Sequence, residues 1–172
     1  SQQVRITITP LKNWNIIGEL NIKTDNNWTH YEHKRVYSHM ANDPEKTYVA
    51  TMTGPSEDKV YEYAYKSLFL NPNVYTNYDI TLGQHTIAAT AGMQIERQKY
   101  RDVSAQRADM ISTDLPVLNL TTSSQSYGIS GVVQEWASAG FFGRINYDYA
   151  GRYLVEGNLR YDGSSRFRRG NR

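Results

Sequence analysis

Hydrophobic and polar residues alternate strictly along the C-terminal part of the chain. One set of alternate positions is mostly apolar and consists of Tyr153, Val155, Gly157, Leu159 and Tyr161. The positions between them are mostly polar and include Glu156, Asn158, Arg160 and Asp162. The preceding segment repeats the pattern, with Ile145, Tyr147 and Tyr149 alternating with Arg144, Asn146 and Asp148. A period of two residues is typical of a strand with one apolar and one polar face, so the pattern predicts a hairpin over residues 141–163.

The same alternation occurs in two earlier segments. The first predicted hairpin, over about residues 3–25, has an apolar face formed by Val4, Ile6, Ile8, Trp14, Ile16, Gly18, Leu20 and Ile22. Ile17 is an exception, because it falls among polar residues such as Asn15 and Glu19. The second, over about residues 73–99, has an apolar face formed by Val74, Tyr78, Ile80, Leu82, Ile87, Ala89, Ala91, Met93 and Ile95. The sequence therefore predicts an all-β fold of antiparallel strands.

Short turns and long connections are distributed unevenly along the chain. Turns of a few residues are predicted at Leu11–Asn13, Gly83–His85 and Tyr149–Gly151, whereas the connections at about 26–72 and 100–140 are long. Each predicted strand has about 9 to 13 residues, close to the length that a tilted strand needs to cross a bilayer. Outer-membrane barrels have short periplasmic turns and longer extracellular loops. The pattern therefore favours antiparallel strands of a transmembrane β-barrel.

The number of predicted strands suggests that the barrel is incomplete. Six strands are too few for closure, because the smallest single-chain barrels use about eight. Unpaired strand edges in lipid would leave backbone groups unsatisfied at a cost of several kcal/mol each. We therefore expect residues 1–172 to be a segment of a larger barrel domain. A soluble β-sandwich that binds carbohydrate through aromatic residues is an alternative from a different class.

Composition is compatible with a membrane barrel. The chain has 14 tyrosines, and tyrosine is enriched where a membrane meets water. The net charge is +2 without a basic cluster, so no nucleic-acid partner is predicted. Cysteine is absent, which excludes disulfides and thiolate metal sites.

The third hairpin allows its register to be predicted. With a three-residue turn at Tyr149–Gly151, Asp148 would face Arg152 and Arg144 would face Glu156 across the hairpin. A register shifted by two residues would place Arg144 opposite Asn158 instead. We predict the first register, because it joins opposite charges on the polar face.

Several motifs resemble those of one family. Residues 142–147 read Phe-Gly-Arg-Ile-Asn-Tyr, and residues 158–167 read Asn-Leu-Arg-Tyr-Asp-Gly-Ser-Ser-Arg-Phe. Together with Arg152-Tyr153-Leu154, these segments resemble the barrel signature of SusC/RagA-type TonB-linked outer-membrane transporters. The Gly83-Gln84-His85 turn, Gly92 and Asp114-Leu115-Pro116 are similar to the same family in order and spacing. The resemblance covers most of residues 75–172 and, more loosely, residues 4–25.

The resemblance implies a function and a set of partners. The family has a barrel of about 22 strands, closed by an N-terminal plug, that imports oligosaccharides or peptides across the outer membrane of Bacteroidetes-like bacteria. It implies a SusD-like surface lipoprotein as a lid and a TonB complex acting through the plug. Neither a plug nor a TonB box is recognisable in these residues, so a passive porin stays open as an alternative. Arg168 and Arg169 depart from the family, which tends to have a glycine soon after the phenylalanine.

The polar residues point to no metal site, cofactor or enzymatic activity. His30 and His33, with Glu32 between them, form an incomplete ligand set of a kind that surface loops carry by chance. No complete catalytic set is present either. Four charged residues are predicted to face a water-filled lumen and to form cross-strand pairs, namely Arg144, Asp148, Glu156 and Arg160.

Three aromatic residues in the predicted loops are candidates for contact with substrate or with the lid. Trp28 and Tyr31 begin the first long loop, and Trp136 lies near the end of the second. Their rings would stack on a sugar ring or touch the lid protein. The alternative, which we favour, is an upper aromatic girdle at the membrane interface and packing within the loops.

Overall fold

The computed structural model describes residues 1–50, 57–123 and 128–166, and these residues form strands, turns and irregular connections. The strands are β1 (Gln2–Leu11), β2 (Trp14–His33), β3 (Tyr37–Met40), β4 (Asp43–Val49), β5 (Lys59–Leu82), β6 (His85–Ala108), β7 (Gly128–Tyr149) and β8 (Tyr153–Ser164). The described residues contain no helix that is long and apolar enough to span a membrane. Phe167, Arg168 and Arg169, on which part of the family resemblance depends, lie outside the described residues.

The strands form two sheets. Six of them pair in the order β1-β2-β5-β6-β7-β8, and β3 pairs with β4 as a separate two-stranded sheet. The resolved pairings are antiparallel, which confirms the predicted all-β antiparallel fold. The chain divides into two compact units. The first unit comprises residues 1–25, 67–100 and 134–172, and the second comprises residues 26–66 and 101–133.

The first hairpin has the predicted faces. Val4 pairs with Leu20, and Ile8 pairs with Ile16, so the apolar side chains of β1 and β2 share one face. The pairing shifts near the turn, where Leu11 faces Trp14 and only two residues remain between the strands. Asn13, in this turn, has a φ of 64°. The turn is therefore one residue shorter than the alternation predicts, because a bulge absorbs the difference.

The predicted register of the third hairpin is wrong. Arg144 lies opposite Asn158, and Asp148 lies opposite Leu154, which is the register shifted by two residues. Glu156 faces Asn146. Direct pairing of Arg144 with Glu156 across the strands is therefore absent.

The turn between β7 and β8 explains the shift. Both Ala150 and Gly151 have positive φ, 54° and 67°, as at the two central positions of a type I′ turn. The Arg152 amide donates to the Tyr149 carbonyl at 3.0 Å, which leaves Arg152 outside the pairing and places Tyr149 opposite Tyr153. Cross-strand charge pairs contribute under about 1 kcal/mol each, so the turn geometry decides the register.

The strands are longer than the predicted hairpins. β2 continues to His33, β5 begins at Lys59, β6 continues to Ala108 and β7 begins at Gly128, so much of the predicted connections 26–72 and 100–140 is strand. The β3–β4 hairpin was not predicted either. Alternation reveals a strand only where its two faces meet different surroundings, whereas backbone pairing can continue where both faces are polar.

Few side chains of the described residues are buried. In the first unit, Ile17 is 6% exposed, which accounts for the one apolar residue on the polar face of β2. In the second unit, Val60 and Ala108 are fully buried. The stability of the first unit therefore does not come from a conventional core between two layers.

Candidate functional site

One face of the first unit is apolar and uncovered. Strands β1 and β8 show it most clearly, since Ile6 is 61% exposed, Val155 is 64% exposed and Leu159 is 79% exposed. Monomeric soluble proteins rarely expose a contiguous apolar surface of this extent. Tyr147, Val155 and Leu159 are not packed against a second sheet among the described residues.

Aromatic rings gather on this face beside the short turns. The imidazole of His85 stacks with the ring of Tyr147 at 5.9 Å, and its Nδ1 lies 2.7 Å from the Tyr147 hydroxyl. His85 also contacts Tyr149 at 4.9 Å, and Tyr149 stacks with Tyr153 at 6.4 Å. We call these four residues the turn-side aromatic cluster. Rings with a polar edge are typical of a membrane–water interface.

The three short turns lie at the same end of the sheet. The Asp79 amide donates to the Asn13 carbonyl of the first turn at 3.0 Å. The Ala150 amide of the third turn donates to the Gln84 carbonyl of the second at 2.7 Å. The second and third turns are thus in direct contact, and the antiparallel strand order places the first turn at the same end of the sheet.

The opposite face of the first unit carries linked polar side chains. Arg5 pairs with Glu19 at 2.5 Å, and the Tyr75 hydroxyl donates to the same carboxylate at 3.0 Å. The side chain of Asn71 accepts a hydrogen bond from the side-chain amide of Asn21 and donates one to a backbone carbonyl of β6. Polar groups on four neighbouring strands are thus satisfied by one another, which holds the face in one arrangement.

The four charged residues predicted to face a lumen all lie on this polar face. Arg144 reaches Glu156 diagonally, with its Nη2 donating to Oε2 at 2.6 Å. Arg160 donates to Asp162 at 2.8 Å rather than to a residue of the predicted set. Asp148 accepts the Gly151 amide at 2.8 Å and so stabilises the turn. Arg144 and Glu156 are therefore brought together, whereas Asp148 and Arg160 have separate partners.

Trp136, the third predicted aromatic contact, is already engaged on several sides. Its indole nitrogen donates to Gln98 at 3.0 Å, and its ring lies 6.4 Å from that of Phe69. The guanidinium of Arg166 lies over the ring at 4.6 Å. Ser165 bonds the backbone of Ala137 in both directions, which fixes the segment that carries Arg166. The geometry suits a positioned structural ring better than a free binding platform.

Trp28, in the second unit, is held by a carboxylate. The indole nitrogen donates to Glu62 Oε2 at 2.5 Å, while Glu62 Oε1 lies 2.6 Å from His30 Nδ1. Burial alone would raise the pKa of Glu62, but the hydrogen bonds from Trp28 and His30 outweigh it and hold that pKa below its ordinary value. Trp28 remains 75% exposed, so its edge is anchored while its ring faces are open.

Tyr31 lies in a separate aromatic group of the second unit. Its ring stacks on that of Tyr61, with centroids 4.5 Å apart, and lies 5.4 Å from the imidazole of His33. Tyr63 and Tyr65 follow on β5, with their rings 6.0 Å apart. Sequence reasoning missed Tyr61, although alternate tyrosines at 61, 63 and 65 form a recognisable pattern. We call Tyr31, His33 and Tyr61 the tyrosine platform.

A polar clasp joins the connections within the second unit. The Arg35 amide donates to Asp58 at 2.5 Å, and its guanidinium donates to Asp109 at 3.3 Å. The Asp109 amide in turn donates to the Asp58 carbonyl at 2.9 Å. A hydrogen bond with Tyr37, aided by the two carboxylates and opposed by burial, raises the pKa of Arg35 above its ordinary value. These contacts tie the ends of β2, β5 and β6 to one another.

The histidines do not form a metal site with Glu32 in the structure. His30 is bonded to Glu62, whereas His33 lies against Tyr31. Across the described ranges, no group of three or more histidine, cysteine, aspartate or glutamate residues converges as a metal site would require.

The sequence was compared with protein families and with curated proteins. A scan against models of protein families finds no match. Two curated proteins of Formosa agariphila are similar in sequence. TonB-dependent receptor P3 is 25% identical over 126 residues, which is 73% of this chain. TonB-dependent receptor P39 is 35% identical over 106 residues, which is 58% of this chain. The aligned parts amount to 12% and 10% of the receptors' own lengths, so the chain spans only a small part of either protein.

Solved structures of the RagAB peptide transporter share the fold. One matches 99% of this chain with a TM-score of 0.82 and 23% sequence identity, and 18% of that transporter chain is covered. Structures of the RagAB peptide importer in closed-closed and open-open states match with TM-scores of 0.78 and 0.79. These comparisons confirm the predicted resemblance: in sequence and in fold, the chain is similar to a barrel segment of the SusC/RagA-type, TonB-dependent receptors.

Proposed function

We propose that the chain forms part of the barrel wall of an outer-membrane nutrient importer. The observation that carries this proposal is the uncovered apolar face of a sheet whose opposite face is a bonded polar network. A membrane supplies the apolar surroundings that one face needs, and a water-filled interior suits the other. The sequence similarity to TonB-dependent receptors supports active import rather than a passive porin.

The described strands would be oriented with their turns towards the periplasm. The shortness of the turns supports this, since such barrels have short turns on the periplasmic side, and the turn-side aromatic cluster would mark the membrane interface at that end. Residues 26–66 and 101–133 would be extracellular, as the longer connections of such barrels are. Catalysis has no place in this proposal, because the proteins that the chain resembles are receptors and transporters.

Peptides or oligosaccharides are the substrate classes that we propose. The fold shared with the RagAB peptide transporter supports peptides. The tyrosine platform would contribute contacts with either class, since tyrosine offers a flat apolar ring and a hydroxyl. Trp28 would serve as a contact for substrate or for a SusD-like lid. We assign Trp136 a structural role, because its ring contacts Arg166 and its N–H donates to Gln98.

Gene deletion and uptake measurements test the proposal. The gene for the full-length protein is deleted in its own bacterium, and uptake of labelled peptide and oligosaccharide pools is compared with that of the complemented strain. The proposal expects the protein in the outer-membrane fraction and loss of uptake of one pool on deletion. Protein in the soluble fraction, or unchanged uptake of both pools, would contradict it.

The same cells separate active import from a porin. A protonophore removes the inner-membrane gradient that powers TonB-linked transport without blocking a passive pore. Uptake that depends on the gene and stops with the protonophore supports the importer. Uptake that depends on the gene but continues would favour the porin.

A further inference from the structure

A groove crosses the apolar face of the first unit, and we propose that it binds an acyl chain of a membrane phospholipid. It has a volume of about 850 Å³ and spans strands β5 to β8, together with the end of the first hairpin. Volumes of this order are usual for small-molecule sites. The inference rests on the proposed function, because it requires this face to lie in the membrane.

Small residues on three neighbouring strands line the groove. Ala89 and Ala91 lie on β6, Gly143 on β7 and Gly157 on β8, while Trp14 and Leu159 stand at its sides. A Cβ added at Gly157 would meet nothing within 4 Å, and its backbone is not left-handed. Neither packing nor conformation therefore requires glycine there. Glycine within a strand weakens it and often marks close approach by another molecule.

The groove offers hydrocarbon surface and few polar partners. The Trp14 indole nitrogen donates to Thr76 Oγ1 at 2.6 Å, and that hydroxyl donates to the Asn15 carbonyl at 3.0 Å. Arg144 and Asn158 also line the groove, but their side chains point to the polar face, where both donate to Glu156. With these polar groups already bonded, a sugar or peptide would lose its own hydrogen bonds on entry. An acyl chain has none to lose.

Charge at the neighbouring turns fits a phosphate headgroup. Trp14 directly follows the first turn, which contains the exposed Lys12, and the third turn contains the exposed Arg152. Basic residues at a membrane surface attract anionic headgroups, and the nearby tyrosines suit the headgroup level. The uncharged groove beside cationic turns therefore complements both parts of a phospholipid. Its place beside the proposed periplasmic turns selects a phospholipid rather than the lipid A of the outer leaflet.

Lipid retention by the full-length protein tests this site. The protein is purified in mild detergent, and bound phosphatidylethanolamine and phosphatidylglycerol are counted by native mass spectrometry. Gly157→Leu fills the groove and should lower the retained fraction at least about tenfold. Gly18→Leu is the matched control, because a Cβ at Gly18 also meets nothing within 4 Å and that residue does not line the groove. The control should retain phospholipid as the unmodified protein does.

A measurement without substitution guards against misfolding of the Gly157 variant. Unmodified protein is exposed to phosphatidylethanolamine with brominated acyl chains, and replacement of the bound lipid is followed by mass. Saturable exchange of a bound lipid supports the site. Equal retention by all three proteins, retention by none, lipid A in place of phospholipid, or a detergent-stable dimer that excludes lipid would each overturn it.

The subcellular location of the protein and its nutrient uptake show whether the proposed function or only the lipid site has been contradicted. Protein that is absent from the outer membrane contradicts the proposed function together with this inference. Protein that resides in the membrane and imports nutrient, but shows no groove-dependent phospholipid, contradicts this inference alone.

Discussion

The ring of Tyr31 stacks on the ring of Tyr61, with their planes 28° apart and their centroids 4.5 Å apart. The two residues lie on strands β2 and β5, and the pair is partly exposed. A stacked pair fixes both rings before a ligand arrives, which lowers the entropy cost of binding.

Replacing Tyr31 should therefore weaken substrate binding. We expect Tyr31→Ala in the full-length protein to raise the Kd by roughly 3-fold to 10-fold, since aromatic pairs contribute about 0.5–1.5 kcal/mol. Isothermal titration with the imported peptide or oligosaccharide measures it. Tyr31→Phe keeps the ring and should bind almost normally. Equal affinity of the alanine variant and the unmodified protein would remove the platform from the binding site.

The carboxylate of Glu62 should make the second unit sensitive to acid. Its pKa is held low in the folded protein, so its stabilising contribution is complete above the ordinary carboxyl pKa and is lost as pH falls through the lowered value. We expect Glu62→Gln to lower the melting temperature at neutral pH and to reduce its fall in acid. Melting of the full-length protein in detergent across that range measures both effects. Glu45→Gln, at an exposed position of β4, is the control and should reproduce the unmodified profile.

Breaking the polar clasp should expose the connections to protease. Asp58→Ala removes the acceptor of the Arg35 amide and leaves a partly buried donor unsatisfied, at a cost of about 1–3 kcal/mol. We expect faster cleavage within residues 34–50 and 109–123 when protease is added to intact cells. Asp114→Ala, at an exposed position of the connection that follows β6, should leave cleavage unchanged. Equal rates for both variants would show that the clasp does not order these segments.

Gly92 should tolerate no side chain. A Cβ there would lie 2.5 Å from the Cβ of Tyr75 and 2.8 Å from the ring of Phe142. Such overpacking costs typically about 1–3 kcal/mol, so Gly92→Ala should reduce the amount of folded barrel. The heat-dependent mobility of the full-length protein on detergent gels reports it. Gly18→Ala, where the space is open, is the matched control, and a normal yield of the Gly92 variant would refute the close packing.

Residues 1–172 expressed alone should not yield a stable soluble monomer. The apolar face lacks a covering layer among the described residues, and the outer strands of the sheet have unpaired edges. We expect aggregation in buffer and recovery only with detergent, as judged by size-exclusion chromatography. A monodisperse, detergent-free sample with a sharp two-state melt would contradict the membrane assignment.

The sequence by itself determined which side chains share a face. Alternation in Val4–Ile8 and Tyr153–Tyr161 requires only that successive side chains of a strand point to opposite sides, so the apolar face could be predicted without knowing any partner strand. The family resemblance could likewise be found from local motifs.

The tertiary structure alone decided the register and the contacts between distant strands. Arg144 faces Asn158 because two left-handed residues close the third turn, and the small energy of a charge pair could not overrule that geometry. Tyr31 meets Tyr61, and Trp28 meets Glu62, only because β2 and β5 pair past the β3–β4 hairpin. Alternation specifies which face a side chain lies on, but it is equally compatible with registers that differ by two residues. Turn geometry and long-range strand pairing set the register.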